Sequence, residues 1–211
     1  MRLNDYIAEG TNGTLIQDVD LFNELIQRDC KRYLNIIAGV GEPLFRGMGN
    51  VGNLGVRDVR KDRRSRLMTS EEVKFINTWL KANGHAQRSQ SVFLSPDLKH
   101  VKTFGSETYM IFPAGKIKYT WIDAKDMNFS DWNTGWHPRA VLAYRDQKKG
   151  IEPEFAHELN SLQKPFSKYF HTNINFTKAY RGGYEMWIEC DKYYYADADE
   201  FTYDSKYKAI I

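Results

Sequence analysis

Tyr193, Tyr194 and Tyr195 stand consecutively near the end of this sequence, and they set the strongest constraint on its fold. Aromatic residues that fall in short β-favouring runs, not in helix-period stripes, call for a sheet. The same habit recurs along the chain, which holds 12 Phe, 13 Tyr and 5 Trp. Helical periodicity is present too, so the expected class is a sheet-rich α+β protein. At 211 residues and 42% hydrophobic, the chain has room for one ordinary core and is too short for two large ones. A single domain over 1–211 is expected, with no internal repeat, low-complexity segment or linker.

Leu21, Phe22, Leu25, Ile26, Tyr33, Leu34, Ile36 and Ile37 follow helical spacing after the acidic Asp20 and stop at Gly39. They predict one long first helix over 21–38. A short strand at Leu44 and Phe45 follows, then a glycine-rich segment through Gly55 and a basic loop. Thr69 and Glu72 form a capping box ahead of Val73, Ile76, Trp79 and Leu80, the apolar face of a second helix ending near Gly84. Ser91, Val92, Phe93 and Leu94 read as a strand. Ser95 and Pro96 then read as cap and first turn of a short helix ending at Gly105.

Strands are expected at 108–112 and 116–122, joined by Pro113, Ala114 and Gly115. The polar stretch 126–150 reads as loop with short helix, and helices are expected near 152–162 and over 176–180. The runs 185–190 and 193–196 predict a hairpin turning at Asp191 and Lys192.

The opening Met1, Arg2, Leu3, Asn4, Asp5 lacks the apolar core of a secretory signal, and no stretch approaches the roughly 18 apolar residues of a membrane span. A soluble, cytoplasmic protein with no membrane partner is the expectation. Cys30 and Cys190 lie far apart without metal-type spacing, and His85, His100, His137, His157 and His171 are scattered. Neither a disulfide framework, a metal site nor a histidine-based triad is expected. Net charge is only +3, yet Arg57, Arg60, Lys61, Arg63, Arg64 and Arg66 crowd together. Such a patch suits a phosphate-bearing partner, or is simply a solvated loop.

Gly47, Gly49 and Gly52 spell the G-x-G-x-x-G spacing of a dinucleotide-binding turn. That turn needs a helix starting within it, and Asn53, Leu54, Gly55, Val56 and Arg57 do not begin an amphipathic one. A glycine loop beside a phosphate site is the expectation instead.

Three further segments form an ordered set. Leu44, Phe45, Arg46 and Gly47 make a hydrophobic strand ending in Arg then Gly. Phe93, Leu94, Ser95, Pro96, Asp97 and Leu98 run from strand through a serine turn toward a short helix. Gly183, Tyr184, Glu185, Met186, Trp187, Ile188 and Glu189 place an acid at the start of a strand. Strand alternation puts Glu185, Trp187 and Glu189 on one face and Met186 and Ile188 on the other.

In this order the segments resemble the NAD⁺-dependent mono-ADP-ribosyltransferase family of bacterial toxins and phage enzymes, the class marked by Arg, Ser and Glu. The resemblance spans roughly 44–196 through a dozen positions. It implies a split β-sheet core with flanking helices: an N-terminal helix about 20–38 and a catalytic core about 42–200. The implied substrate is NAD⁺, with no metal. Glu185 is then the catalytic carboxylate, with Glu189 competing, and Glu189 is expected to be solvated. Arg46, beside Gly47, holds the phosphates and adjoining ribose. Ser95 braces Glu185, with Ser91 as fallback, or serves only as a helix cap. Pro96 and Asp97 replace the remaining Thr and Ser of the family's turn. Phe93 or Tyr109 offers an aromatic face to nicotinamide, or packs in the core.

Arg60, Arg63 and Arg64 are candidate contacts to a phosphate or to the acceptor. Members that modify protein arginine carry a second Glu two positions before the catalytic one, where this chain has Gly183. A nucleic-acid acceptor, RNA or DNA, is therefore preferred over a protein. NAD⁺ glycohydrolase activity and non-enzymatic nucleic-acid binding are the competing readings. The family also implies a toxin, phage-defence or host-takeover role, and an antitoxin as a possible partner.

Overall fold

The computed structural model describes residues 13–61, 70–122 and 170–200. In chain order the elements are β1 (Gly13–Leu15), α1 (Val19–Asp29), α2 (Lys31–Ile37), β2 (Leu44–Met48), β3 (Leu54–Asp58), α3 (Ser70–Ala82) and β4 (Ser91–Leu94). There follow α4 (Leu98–Val101), β5 (Glu107–Ala114), β6 (Lys118–Ile122), β7 (Phe170–Thr172), α5 (Phe176–Arg181), β8 (Met186–Glu189) and β9 (Lys192–Asp197). The expectations for 126–150 and 152–162 fall outside the described residues, as do Arg63, Arg64 and Thr69.

The tyrosine run forms β9, hydrogen-bonded to β3 on one edge and β5 on the other. Tyr193, Tyr194, Tyr195 and Ala196 are all buried, because both faces of this strand are covered as well as both edges. On one face Phe22 of α1 meets Tyr194 and Phe112 edge-on, each at 6.2 Å, and Tyr33 of α2 meets Phe112 at 6.5 Å. On the other face Tyr195 packs edge-on against Tyr109, and its hydroxyl donates to the Val51 carbonyl. Such T-shaped pairs add to the area each ring removes from water.

Two antiparallel sheets result. One has the order β1-β3-β9-β5-β2, the other β4-β8-β6-β7. The edge strand β2 of the first touches the edge strand β4 of the second through one bridge, Phe45 to Ser95. The architecture is α+β, as composition indicated.

Three sequence expectations change. The run 185–196 is not a hairpin: β8 belongs to one sheet and β9 to the other. Each already has a neighbour on both edges, so the two cannot pair. Cys190 and Asp191 carry the chain across, and the Asp191 carbonyl accepts from Val59 N–H. The first helix is two helices meeting at Cys30. The Asp29 carbonyl accepts from Gly115 N–H at 3.1 Å and so leaves the helical ladder. Cys30 itself is buried, donating its thiol to the Phe112 carbonyl. The cap of α1 is Asp18, which accepts from the amides of Asp20 and Leu21. By contrast, α3 ends as read, with Gly84 at φ +74 and Leu80 buried. The side chains of Glu72, Ile76 and Trp79 are outside the described set. No helix among the described residues is long and apolar enough to cross a membrane.

Asp29 ties α1 to the sheet. Its carboxylate accepts from Arg28 Nε at 2.7 Å, from the Tyr194 hydroxyl at 2.6 Å and from Lys192 Nζ at 3.0 Å. The Arg28 hydrogen bond foremost, with those from Tyr194 and Lys192, outweighs burial and holds this carboxyl well below the usual carboxylate range. Asp29→Asn should therefore destabilise the fold by about 2 kcal/mol near pH 7. Because the native carboxyl titrates below its unfolded value, its contribution is complete above about pH 4 and is lost progressively as pH falls further. Urea unfolding of wild type and variant should show their difference steady between about pH 7 and pH 5 and shrinking as pH falls below about 4.

Candidate functional site

The seam between the sheets begins at Phe45 and Ser95, which exchange backbone hydrogen bonds of 2.9 Å each way. In an antiparallel ladder the next such pair would join Gly47 N–H to the Phe93 carbonyl. Here the Arg46 guanidinium takes that acceptor, with Nη1 3.3 Å from Phe93 O. The ladder stops after one bridge and Arg46 occupies the split, only 9% exposed. Leu44, Phe45 and Met48 around it are buried, and the Arg46 backbone is registered on Tyr109 of β5. A planar fork of donors is suited to phosphate oxygens.

Beyond Gly47 the strand is pressed by the chain leaving α4. A Cβ at Gly47 would collide with the Val101 carbonyl oxygen and lie 2.9 Å from Gly105 N. A Cβ at Gly105 would in turn strike the Met48 backbone. Backbone lies on backbone here, and only glycine permits it.

Ser95 is 3% exposed and directly follows β4, where Pro96 interrupts the extended chain. Its Oγ accepts from Asp97 N–H at 3.1 Å. The cap of α4 is Asp97, whose carboxylate accepts from the amides of Lys99 and His100. Ser95 is thus not the helix cap that the sequence allowed: the helix starts at Leu98, because the fixed φ of Pro96 is used in the turn before it.

Glu185 stands immediately before β8. The register pairs Ser91 with Glu189, Val92 with Ile188, Phe93 with Trp187 and Leu94 with Met186, so Glu185 lies at the Ser95 end. Arg46 lies in β2, Ser95 directly after β4 and Glu185 directly before β8, three neighbouring strands spanning about 10 Å at ordinary strand spacing. Glu185 is half-buried, and its Oε1 accepts from the Trp187 indole N–H at 2.7 Å. The two side chains share one face, as alternation required. Trp187 is buried between Phe93 and Phe170, each 5.8 Å away, and the Arg88 guanidinium lies 5.2 Å from the Phe93 ring and 5.9 Å from Trp187.

The other sequence candidates separate. Ser91 is opposite Glu189 at the far end of β4, about 13 Å from Ser95 along the strand, and donates to the Gln87 carbonyl. Glu189 is not simply solvated: it is half-buried and accepts from Gln87 N–H. Tyr109 presents no open ring. It is buried against Tyr195, its hydroxyl accepts from Val51 N–H, and burial raises its pKa. Phe93 is half-buried beside Glu185's strand and keeps an accessible edge.

Arg60 lies past the end of β3, which is separated from β2 by β9 and β5. Three strand steps are about 14 Å, and Asp58 is a further 16 Å or so along β3 from the level of Arg46. Arg60 and Arg46 do not share a pocket. The segment of Gly47, Gly49 and Gly52 leads into β3, a strand, and not into a dinucleotide-binding helix. Sequence reading gave Trp187 and Arg88 no role. The only signal was the spacing of Trp187 two positions after Glu185 on one strand face. Among the described residues no cluster of three or more His, Cys, Asp or Glu could hold a metal.

Comparison with protein-family models, curated proteins and solved structures finds no match to this chain.

Gly47→Ala should destabilise the protein by about 2 kcal/mol, since backbone atoms of Val101 and Gly105 must move to admit the methyl group. Thermal unfolding would show it. Gly49→Ala, where a Cβ meets nothing within 4 Å, is the control and should unfold like wild type.

Proposed function

We propose that this chain is an NAD⁺-dependent mono-ADP-ribosyltransferase whose two sheets form that family's split core. The observation that carries this reading is the placement of Arg46, Ser95 and Glu185 on or beside three neighbouring strands at a seam where the Arg46 guanidinium takes the next ladder acceptor. Arg46 holds the diphosphate of NAD⁺, fixing the donor. The nicotinamide–ribose bond breaks with its electron pair going to the ring nitrogen, so neutral nicotinamide leaves a cation-like sugar. Glu185, half-buried, faces that charge, and such a preorganised group contributes several kcal/mol. A nucleophile on the acceptor then attacks the anomeric carbon and gives up its proton.

The acceptor is a macromolecule, with nucleic acid preferred over protein. Gly183 supports this preference: it takes φ +71, a conformation that resists any side chain, where arginine-modifying members carry their second Glu. Arg60 and the basic run belong on this reading to the acceptor, because Arg60 is remote from Arg46. A cytoplasmic effector of phage or toxin type, with an antitoxin as partner, fits such an activity.

Labelled NAD⁺ incubated with the chain and cell lysate should yield a labelled macromolecule sensitive to nuclease. Arg46→Lys and Glu185→Gln should each lower NAD⁺ turnover by about a hundredfold or more. Free ADP-ribose without labelled macromolecule would make the protein a glycohydrolase. Unchanged turnover in Glu185→Gln would defeat the site, and salt-sensitive nucleic-acid binding with no turnover would mark a binding protein.

A further inference from the structure

We infer that Trp187 is the positioning residue of this site, the group that sets the orientation of the Glu185 carboxylate. The inference rests on the reading of Glu185 as the carboxylate that faces the ribosyl cation. Glu185 lies outside the β8 ladder, whose last registered pair is Leu94 with Met186. The backbone leading to it is held by hydrogen bonds from Gly182, Gly183 and Tyr184 N–H to the Lys178, Tyr180 and Ala179 carbonyls, but these fix no side-chain torsion of Glu185. Its orientation must come from a side-chain contact. The contact present is the 2.7 Å hydrogen bond donated by Trp187 Nε1 to Oε1. The Ser95 hydroxyl, which the sequence offered for this task, instead accepts from Asp97 N–H.

Trp187 can carry this duty because nothing about it is loose. Its backbone is registered on Phe93 of β4 and on Thr120 of β6, so both edges are fixed. Its ring is 2% exposed and is held by Phe93, Phe170 and Arg88. A buried indole N–H without an acceptor is costly, and in this pocket the acceptor is Glu185. The constraint is therefore reciprocal. One carboxylate oxygen is pinned by a rigid donor while Oε2 receives no hydrogen bond among the described residues, leaving it to face a substrate.

Trp187→Phe removes the donor and keeps an aromatic ring; replacement of Trp187 by 3-benzothienylalanine removes it with the shape nearly unchanged, should the first variant unfold. Each variant should lower kcat for NAD⁺ consumption by about tenfold to a hundredfold with KM within about twofold. Independently of activity, the Trp187 indole N–H resonance in a ¹⁵N-labelled sample, assigned by its loss in Trp187→Phe, should move in Glu185→Ala. An active wild type whose benzothienylalanine variant keeps its kcat would overturn the positioning role alone. So would an indole resonance indifferent to Glu185→Ala. A wild type that consumes no NAD⁺ would overturn the proposed reaction and this role together, even where the resonance moves.

Discussion

Among the described residues a single antiparallel bridge, between Phe45 and Ser95, joins the two sheets, and the placement of Arg46 beside Ser95 depends on it. Without it, β2 and β4 would be unrelated edge strands. With a second rung, from Gly47 to Phe93, the pairing of β2 with β4 would continue as a ladder. Arg46 sets the balance by giving the Phe93 carbonyl a side-chain donor in place of the next ladder amide. The polar accounting at the seam is met either way, so the split is compatible with burial.

The two sides of the seam are stiff for different reasons. On the Arg46 side, α1 and α2 pack edge-on against Phe112 of the adjoining β5, the Tyr33 hydroxyl accepts from Leu44 N–H of β2, and the Asp29 cluster fastens α1 to β9. On the Glu185 side, stiffness comes from centrality: β8 has a partner on each edge, and Met186, Trp187 and Ile188 are all buried. The Gly47 and Gly105 contact locks the turn after α4 onto the end of β2, which fixes where the Ser95 turn sits.

Much of this was legible in the sequence. The strands expected at Leu44 and Phe45, over 91–94 and over 108–112 fall within β2, β4 and β5, and the end of α3 follows from Gly84, but Pro113 and Ala114, read as connection, extend β5. The order of Arg46, Ser95 and Glu185 along the chain also picks out segments that the fold brings to one seam. What escaped is non-local. Nothing near Cys30 announces a break, because Gly115, far along the chain, captures the Asp29 carbonyl. The pattern at 185–196 looks like a hairpin because sheet membership is decided by β3, β4, β5 and β6, not by the short link itself. Tyr109 and Tyr195 have the same residue type as an exposed stacking platform, and only packing shows that their rings close on each other. The hydrogen bond from Trp187 to Glu185 was within reach of strand alternation, but its length and burial were not.

The central position of β9 also dictates when the molecule can exist during synthesis. β3 and β5 are made early, yet the strand that lies between them ends at Asp197. Until that residue has left the ribosome, the five-stranded sheet is two incomplete pieces with aromatic surfaces uncovered, and its folding is governed by distant pairings. β8, with Glu185 before it, emerges in the same late interval. A nascent chain therefore carries Arg46 and Ser95 long before it carries a working seam, and the site assembles in one late step.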